Sequence, residues 1–341
     1  MPELLADHTT LRLGGPAKSW VRATSEAELI DAVRAFDDAG EPVLVLAGGS
    51  NVVVADEGFE GTVVEVATTG VRADHEGDDP TCGGVVVTVS AGEPWEPFVA
   101  RAVDSHWVGI EALSGIPGSL GATPIQNVGA YGQELSQTLA SVRVWDRKLR
   151  GVRTFAAADC GFGYRTSRFK ADPGRHVVLE VSFQFRQGER GSPVTYAELA
   201  RRLGIDPGDR APLSELRQAV LELRRGKGMV LDAADHDTWS AGSFFTNPVV
   251  AVGDVPDGAP AWPQDDGVKT SAAWLIEHAG FGKGYGDGAA RLSSKHTLAL
   301  TNRGGATTAD LLALARTIRD GVEERFGIRL VNEPVLVGCE L

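Results

Sequence analysis

Two stretches of small and polar residues can hold a phosphorylated ligand. The first is Ala47-Gly48-Gly49-Ser50-Asn51, which follows the apolar run Pro42 to Leu46 and leads into Val52-Val53-Val54. At the end of a strand, successive N–H groups can wrap an anion, and Ser50 and Asn51 add side-chain donors. Taken alone, Gly-Gly-Ser-Asn is also ordinary turn chemistry, which is its commoner use. The second stretch runs from Ser114 to Gly132 and includes Ser114, Gly115, Ile116, Pro117, Gly118, Ser119, Gly121, Ala122, Gln126, Asn127, Gly129, Ala130 and Tyr131. It reads as too irregular for an element and long for a connector, so it is taken as a binding loop whose main chain can approach a flat or phosphorylated ligand closely. Two such loops point to one large nucleotide-like cofactor.

Other chemistries lose their usual support. GxxxxGK[ST], GxSxG, HExxH and paired zinc-ligand spacings are absent, and the seven histidines are scattered singly, so no metal site is expected. Gly284-Tyr285-Gly286-Asp287-Gly288-Ala289 satisfies GxGxxA, but it follows a helical stretch and lacks a βαβ unit, so it reads as a glycine-rich turn.

The elements that must position these loops follow from periodicity and punctuation. Ser25 to Phe36 reads as a helix with Ser25 as cap and Glu28 as capping-box partner, ended by Gly40. Pro42 to Leu46, Thr62 to Val66, Val85 to Val89, Ser141 to Trp145 and His176 to Phe185 read as strands. Leu213 to Arg225 is a further helix, and the polar stretch Gly226 to Ala241 marks a boundary. Beyond it, Ser271 to His278 and Thr308 to Phe326 read as helices, Thr297 to Thr301 and Ile328 to Val337 as strands, and Gly253 to Gly267 as a surface loop.

Length and charge bound the remaining possibilities. At ~150 residues per domain, 341 residues make about two domains, and three are open. Lys and Arg number 33 against 46 Asp and Glu, a net charge of −13, which argues against nucleic acid as a partner. A small diphosphate ligand stays open, because a few local donors can hold it against that field. Three widely spaced cysteines, Cys82, Cys160 and Cys339, support neither a disulfide framework nor a metal site and fit a reducing cytoplasm. The amino terminus lacks a basic region followed by an apolar stretch, and no run approaches the ~18 apolar residues of a membrane span. Neither export by signal peptide nor membrane insertion is expected.

Six ordered motifs give the chain a family resemblance: Thr10-Leu11-Arg12-Leu13-Gly14-Gly15; Gly49-Ser50-Asn51; Gly115-Ile116-Pro117-Gly118-Ser119 with Gln126 to Gly132; Phe162-Gly163-Tyr164-Arg165-Thr166-Ser167; Gly242-Ser243-Phe244-Phe245 with Asn247-Pro248; and Asn332-Glu333-Pro334. Through nearly its whole length the chain resembles the UDP-N-acetylenolpyruvoylglucosamine reductase family. The resemblance implies a mixed α+β and α/β protein, with a two-domain FAD-binding fold of the vanillyl-alcohol-oxidase/PCMH type and a C-terminal α+β substrate domain. The expected divisions are 1–67, completed by a strand within 328–341; 68–226; and 227–327.

It also implies FAD and NADPH as cofactors, with both glycine-rich stretches on the FAD, and UDP-N-acetylglucosamine enolpyruvate as substrate, with no obligate protein partner. Ser243 matches the family's proton donor, Arg165 the arginine that pairs with the enolpyruvyl carboxylate, and Glu333 the acidic residue that works with it. Tyr196 and Lys227 match positions that hold the diphosphate, and Asn247 one beside the proton donor. Tyr131 and the Tyr196 segment fit the longer, tyrosine-loop subtype. The chain departs from the family pattern at Ala47, at Thr246, where a lysine is common, and at Val335, where a second glutamate can follow the proline. Two rival functions fit the same residues. One is a flavin-dependent oxidase or dehydrogenase acting on another sugar or alcohol, and the other is a non-catalytic nucleotide-binding regulator.

Overall fold

Ser25 opens the helix Glu26–Ala39 with a capping box: its hydroxyl accepts the Glu28 N–H while the Glu28 carboxylate accepts the Ser25 N–H. Gly40, at φ 67°, ends the helix in the left-handed region that glycine enters without strain. The helix buries Leu29 and Val33 and lays Ile30 and Phe36 against the same core. The computed structural model describes residues 2–75, 84–264 and 267–341, so Cys82 lies outside the described residues.

The chain forms two compact units, one of Met1–Ala17, Gly49–Phe59 and Gly226–Leu341, the other of Lys18–Gly48 and Glu60–Arg225. Among the described residues the second unit carries two larger sheets and a short ladder of Gly129–Ala130 with Gln133–Glu134. Strands Ala17–Ala23, Phe59–Val66 and Val43–Leu46 lie in that order, the last two parallel with Val43 opposite Thr62. The larger sheet is antiparallel: Gly151–Ala156, Leu139–Asp146, His176–Gln187, Gly84–Ser90 and Val71–His75, with Trp107–Val108 also paired to His176–Gln187. Val177, Leu179, Val181, Phe183 and Phe185 of the central strand are all buried, as their alternation requires. Phe183 and Phe185 meet Trp95 and Phe98 of the helix Trp95–Asp104, an element not among those expected.

In the first unit the C-terminal strand Val335–Val337 pairs in parallel with Val52–Val54. The helix Thr308–Phe326 buries Leu311, Leu312, Leu314, Ala315 and Ile318 against a core shared with the helix Ala272–His278, and Gly327 at φ 68° stops it. Strands Ala290–Leu292 and Leu300–Asn302 form a hairpin. Gly284 to Ala289 is irregular chain between the helix Ala272–His278 and the strand Ala290–Leu292, the turn its surroundings required.

Four segments differ from expectation, one being Thr297 to Thr301, where Thr297 and Leu298 form a turn and the strand is Leu300–Asn302. Ser114 to Gly132 does contain elements: a 3-10 turn Leu120–Ala122, a helical turn Thr123–Gln126 with Pro124 in its first turn, where no N–H is needed, and a two-residue strand Gly129–Ala130. Within Gly253 to Gly267, a strand Ala261–Gln264 forms; it occupies the edge of its sheet, the position that tolerates Pro263. The final strand begins only at Val335, because Asn332 to Pro334 is occupied by other contacts described below.

Candidate active site

In the second unit the Gly-Gly turn meets the glycine-rich stretch backbone to backbone. A Cβ on Gly48 would lie 2.6 Å from the Gly118 Cα, and the Gly48 N–H points at Ser119 Oγ, 3.4 Å away. Gly115 and Gly118 hold φ of 74° and 115°, values that favour glycine. Around them the chain is pinned to its scaffold: Trp95 N–H to Gly118 O (3.0 Å), Leu120 N–H to Glu93 O (2.8 Å) and Gly121 N–H to Ala91 O (2.7 Å). The Gly115 N–H is held by the Glu96 carboxylate, and the buried Ser114 hydroxyl donates to Glu111 O at 2.7 Å. Ala47, Ile116 and Ala130 are half-buried against the main core of this unit. Pro117 and Ala122 lie on the same pinned stretch, and Gln126 and Asn127 are buried. Such a glycine-lined cradle, too narrow for a Cβ at Gly48, fits the pyrophosphate region of FAD.

Three non-glycine residues here also hold positive φ: Asn127 (43°), Tyr131 (50°) and Arg165 (51°). Backbone strain of this kind is kept only where surrounding contacts enforce it. For Asn127 they are its side-chain amide bonds to Glu134 and to Gly163 O, both at 3.1 Å. Arg165 donates from Nη2 to Gly129 O (2.7 Å) and from Nη1 to Asn127 O (3.4 Å), and its own carbonyl accepts from Lys170 Nζ. The guanidinium is thereby aimed by the loop itself. Tyr131 packs edge-on against Tyr196 at 5.4 Å, and Tyr196 remains 45% exposed, available to a ligand.

In the first unit Gly49 adopts φ 54°, and a Cβ there would strike His8 O at 1.9 Å. The Ser50-Asn51 segment is held by Val335, whose N–H donates to Asn51 O at 3.0 Å. Gly242 (φ 72°) turns the chain into Ser243, and Phe244 and Phe245, both fully buried, anchor it. The Glu333 N–H then donates to Phe244 O (2.8 Å), Phe245 bridges Asn332, and the Thr246 N–H donates to Val331 O (3.0 Å). This antiparallel contact holds Ser243 and Glu333, both half-buried, on neighbouring chain segments. Thr246 faces this contact, its hydroxyl 3.3 Å from Val331 O. Asn247 caps the helix Ala272–His278, its Oδ1 accepting the Ala272 N–H at 2.9 Å. Lys227 is half-buried where the helix Leu213–Gly226 ends, just before Gly228 at φ 65°.

The structure thus gathers Arg165, Tyr131, Tyr196 and the Gly48/Gly118 cradle in one unit, and Gly49, Ser50, Asn51, Ser243, Asn247, Glu333 and Lys227 in the other. Sequence reasoning missed two charged residues beside the loop. Arg224 reaches Gly115 O at 3.4 Å; burial pushes its pKa down to about 10, which leaves it a cation at neutral pH. The sequence signal was an Arg-Arg pair in a helix's last turn, which reads as a solvated end. Glu111, fully buried, accepts N–H bonds from Gly109 (2.6 Å), Ser192 (2.6 Å) and the Gln133 side chain (2.9 Å). Nothing local in the sequence marked it. Among the described residues no group of three or more His, Cys, Asp or Glu forms a metal site, and no helix is long and apolar enough to cross a membrane.

The fold and the cradle define an FAD-binding flavoprotein with a separate C-terminal domain: residues 17–151 match the FAD binding domain family, and residues 234–337 the UDP-N-acetylenolpyruvoylglucosamine reductase C-terminal domain family. Proteins named UDP-N-acetylenolpyruvoylglucosamine reductase are similar along the whole chain. That of Cutibacterium acnes is 59% identical, covering 99% of this chain and 90% of its own length. That of Thermobifida fusca is 57% identical, covering 99% and 97%. The crystal structure of the Thermus caldophilus reductase superposes with a TM-score of 0.67 at 26% identity, covering 99% of this chain and 98% of its own. The chain belongs to the UDP-N-acetylenolpyruvoylglucosamine reductase family, an oxidoreductase family.

Proposed function

We propose that the protein reduces UDP-N-acetylglucosamine enolpyruvate to UDP-N-acetylmuramate with NADPH, supplying a peptidoglycan precursor, and that it does so in the cytoplasm without an obligate protein partner. The observation that carries the assignment of roles is the Phe244–Glu333 contact, which holds a hydroxyl and a carboxylate on neighbouring segments beside a glycine turn. When bound, FAD would supply the hydride chemistry that links NADPH to C3 of the enolpyruvyl group. The cradle that fits it is the backbone at Ala47 and Gly48 with the Ser114–Tyr131 stretch, and Gly49, Ser50 and Asn51 are assigned to the same cofactor. Residues 1–67 and 328–341 make one FAD-binding subdomain, 68–226 the second, and 227–327 the substrate domain.

The chain's own residues do the rest. Arg165 binds the substrate carboxylate and stabilises the negative charge that builds there, the task for which a preorganised planar donor is best suited. Ser243 holds a proton at Oγ for C2. A serine hydroxyl is a weak acid, so it serves only toward a strongly basic carbon such as that left by hydride addition. Glu333 supplies the acidic partner for this chemistry. Tyr196 and Lys227 hold the diphosphate, and Asn247 lies beside the proton donor.

The purified protein should be yellow, bleach with NADPH and recolour on addition of UDP-N-acetylglucosamine enolpyruvate. A colourless protein that cannot be reconstituted with FAD would overturn the assignment. Ser243→Ala should spare flavin reduction by NADPH and slow reoxidation by the sugar substrate by ~10²–10⁴-fold, the usual worth of general-acid assistance. Stopped-flow measurement of each half-reaction decides it: equal slowing of both would mean lost folding or FAD binding, and no slowing would leave Ser243 a turn residue.

A further inference from the structure

The Thr10 to Gly15 motif carries part of the family resemblance, yet none of the roles above draws on it. Thr10 is buried, 9% exposed, and makes two bonds in different directions. Its N–H donates to Gly49 O at 3.1 Å, holding the turn that Gly49 enters with a left-handed φ. Its hydroxyl donates to Ser240 O at 2.7 Å. A hydroxyl has one proton, so the 3.5 Å approach of the same oxygen to Ser50 O is the weaker claim on it. Ser240 is itself buried, and its Oγ accepts the Gly242 N–H at 3.2 Å. Gly242, at φ 72°, is the turn that presents Ser243.

We infer that Thr10 is a positioning residue for proton delivery, tying the phosphate-cradle turn at Gly49 to the Ser240–Gly242 turn that aims Ser243. This rests on the reading of Ser243 as proton donor. The chain of contacts runs from Gly49 O to Thr10 N–H, from Thr10 Oγ to Ser240 O, and from Ser240 Oγ to the half-buried Gly242 N–H, with Gly49, Thr10 and Ser240 all buried. Valine is close to threonine in shape but lacks the donor, so Thr10→Val keeps the backbone bond to Gly49 and removes the one to Ser240. The cradle turn is then retained while the Ser243 segment loses its tether. Displacement of a reacting group by about an ångström costs on the order of 10²-fold, so a loosened tether that permits a fraction of that shift should slow the step by roughly tenfold.

The test compares Thr10→Val, Thr10→Ser and Ser243→Ala in the FAD-loaded protein. Hydrogen–deuterium exchange followed by mass spectrometry should show faster exchange over residues 240–246 in Thr10→Val, a readout independent of turnover. Flavin reduction by NADPH should be unchanged, reoxidation by UDP-N-acetylglucosamine enolpyruvate should slow about tenfold, and Thr10→Ser should restore both signals. Wild-type exchange and reoxidation in Thr10→Val would overturn the inference. So would equal slowing of the two half-reactions, or a Thr10→Ser variant no better than Thr10→Val, which would make the methyl group the active part. If Ser243→Ala slows reoxidation and Thr10→Val does not, the tether alone is wrong. If Ser243→Ala has no effect, the proton-donor reading falls and the tether with it.

Discussion

Adding one methyl group at Gly48 tests whether the cradle is where FAD binds. The new Cβ would lie 2.6 Å from Gly118 Cα, 2.9 Å from the Gly118 carbonyl carbon and 3.0 Å from Ser119 N, and every one of these atoms is backbone. Non-bonded carbons rest at ~3.5–4.0 Å, so the turn and the loop must part by about 0.9 Å (3.5 − 2.6) before the methyl fits. Gly48 is not among the positive-φ glycines, so alanine meets only this steric obstacle. Overpacking of this kind typically costs ~1–3 kcal/mol. Falling on the closed cradle that FAD engages, it should raise the FAD Kd by about 5- to 140-fold, at ~1.4 kcal/mol per decade. The assay is fluorescence titration of deflavinated protein with FAD, beside thermal denaturation. Gly282→Ala is the control, because Gly282 is exposed and a Cβ there meets nothing within 4 Å. An FAD affinity in Gly48→Ala equal to that of the control would refute the reasoning, even with a lowered melting temperature, since the strain would then be borne by the fold and not by the cofactor site.

Arg165→Lys should lower kcat/KM by on the order of 10²-fold, because lysine keeps the charge and loses the planar fork that reaches Gly129 O and Asn127 O; near wild-type turnover would make Arg165 structural. Ser243→Cys should retain more reoxidation activity than Ser243→Ala, since a thiol still carries a proton, and equal rates in stopped flow would deny Ser243 the acid role. The Asp146 carboxyl, buried and bonded by Arg175 from Nε (3.1 Å) and Nη2 (2.8 Å), is lowered from its ordinary 3.8 to about 2 chiefly by those bonds. A depressed folded value contributes stability that is fully present above pH ~4 and is lost as pH falls through about 2; at 1.36 kcal/mol per unit this is about 2 kcal/mol. Denaturant unfolding of wild type and Asp146→Asn from pH 2 to 7 should therefore converge at the acid end and diverge toward neutrality, and parallel curves would contradict the assignment.

What the sequence determined by itself was everything encoded within a few residues. The Ser25/Glu28 capping box, Gly40 and Gly327 as terminators, and the alternation of Val177 to Phe185 are local patterns, and each appears where the residues place it. The six family motifs were legible for the same reason, since each is a short contiguous string. Tertiary structure decided which strings meet. The Gly48 and Gly118 backbones lie against each other, and Gly48 N–H reaches Ser119, 71 positions away, because the strand ending at Leu46 and the loop after the helix Trp95–Asp104 are carried to one place by separate sheet and helix packing. Ser243 and Glu333 become neighbours only through the Phe244–Glu333 and Phe245–Asn332 contacts. Those contacts also hold Asn332 to Pro334 out of the last strand until Val335. Thr10 stands in a legible motif and Arg224 in an Arg-Arg pair at a helix end, but their partners, like those of Glu111, left no local mark, because a buried hydroxyl, carboxylate or guanidinium has the same sequence signature as an exposed one. Only the partners that long-range folding brings to it, Ser240 O, three N–H donors and Gly115 O respectively, give each its place in the site, since a polar group taken out of water is stable only where the fold supplies its hydrogen bonds.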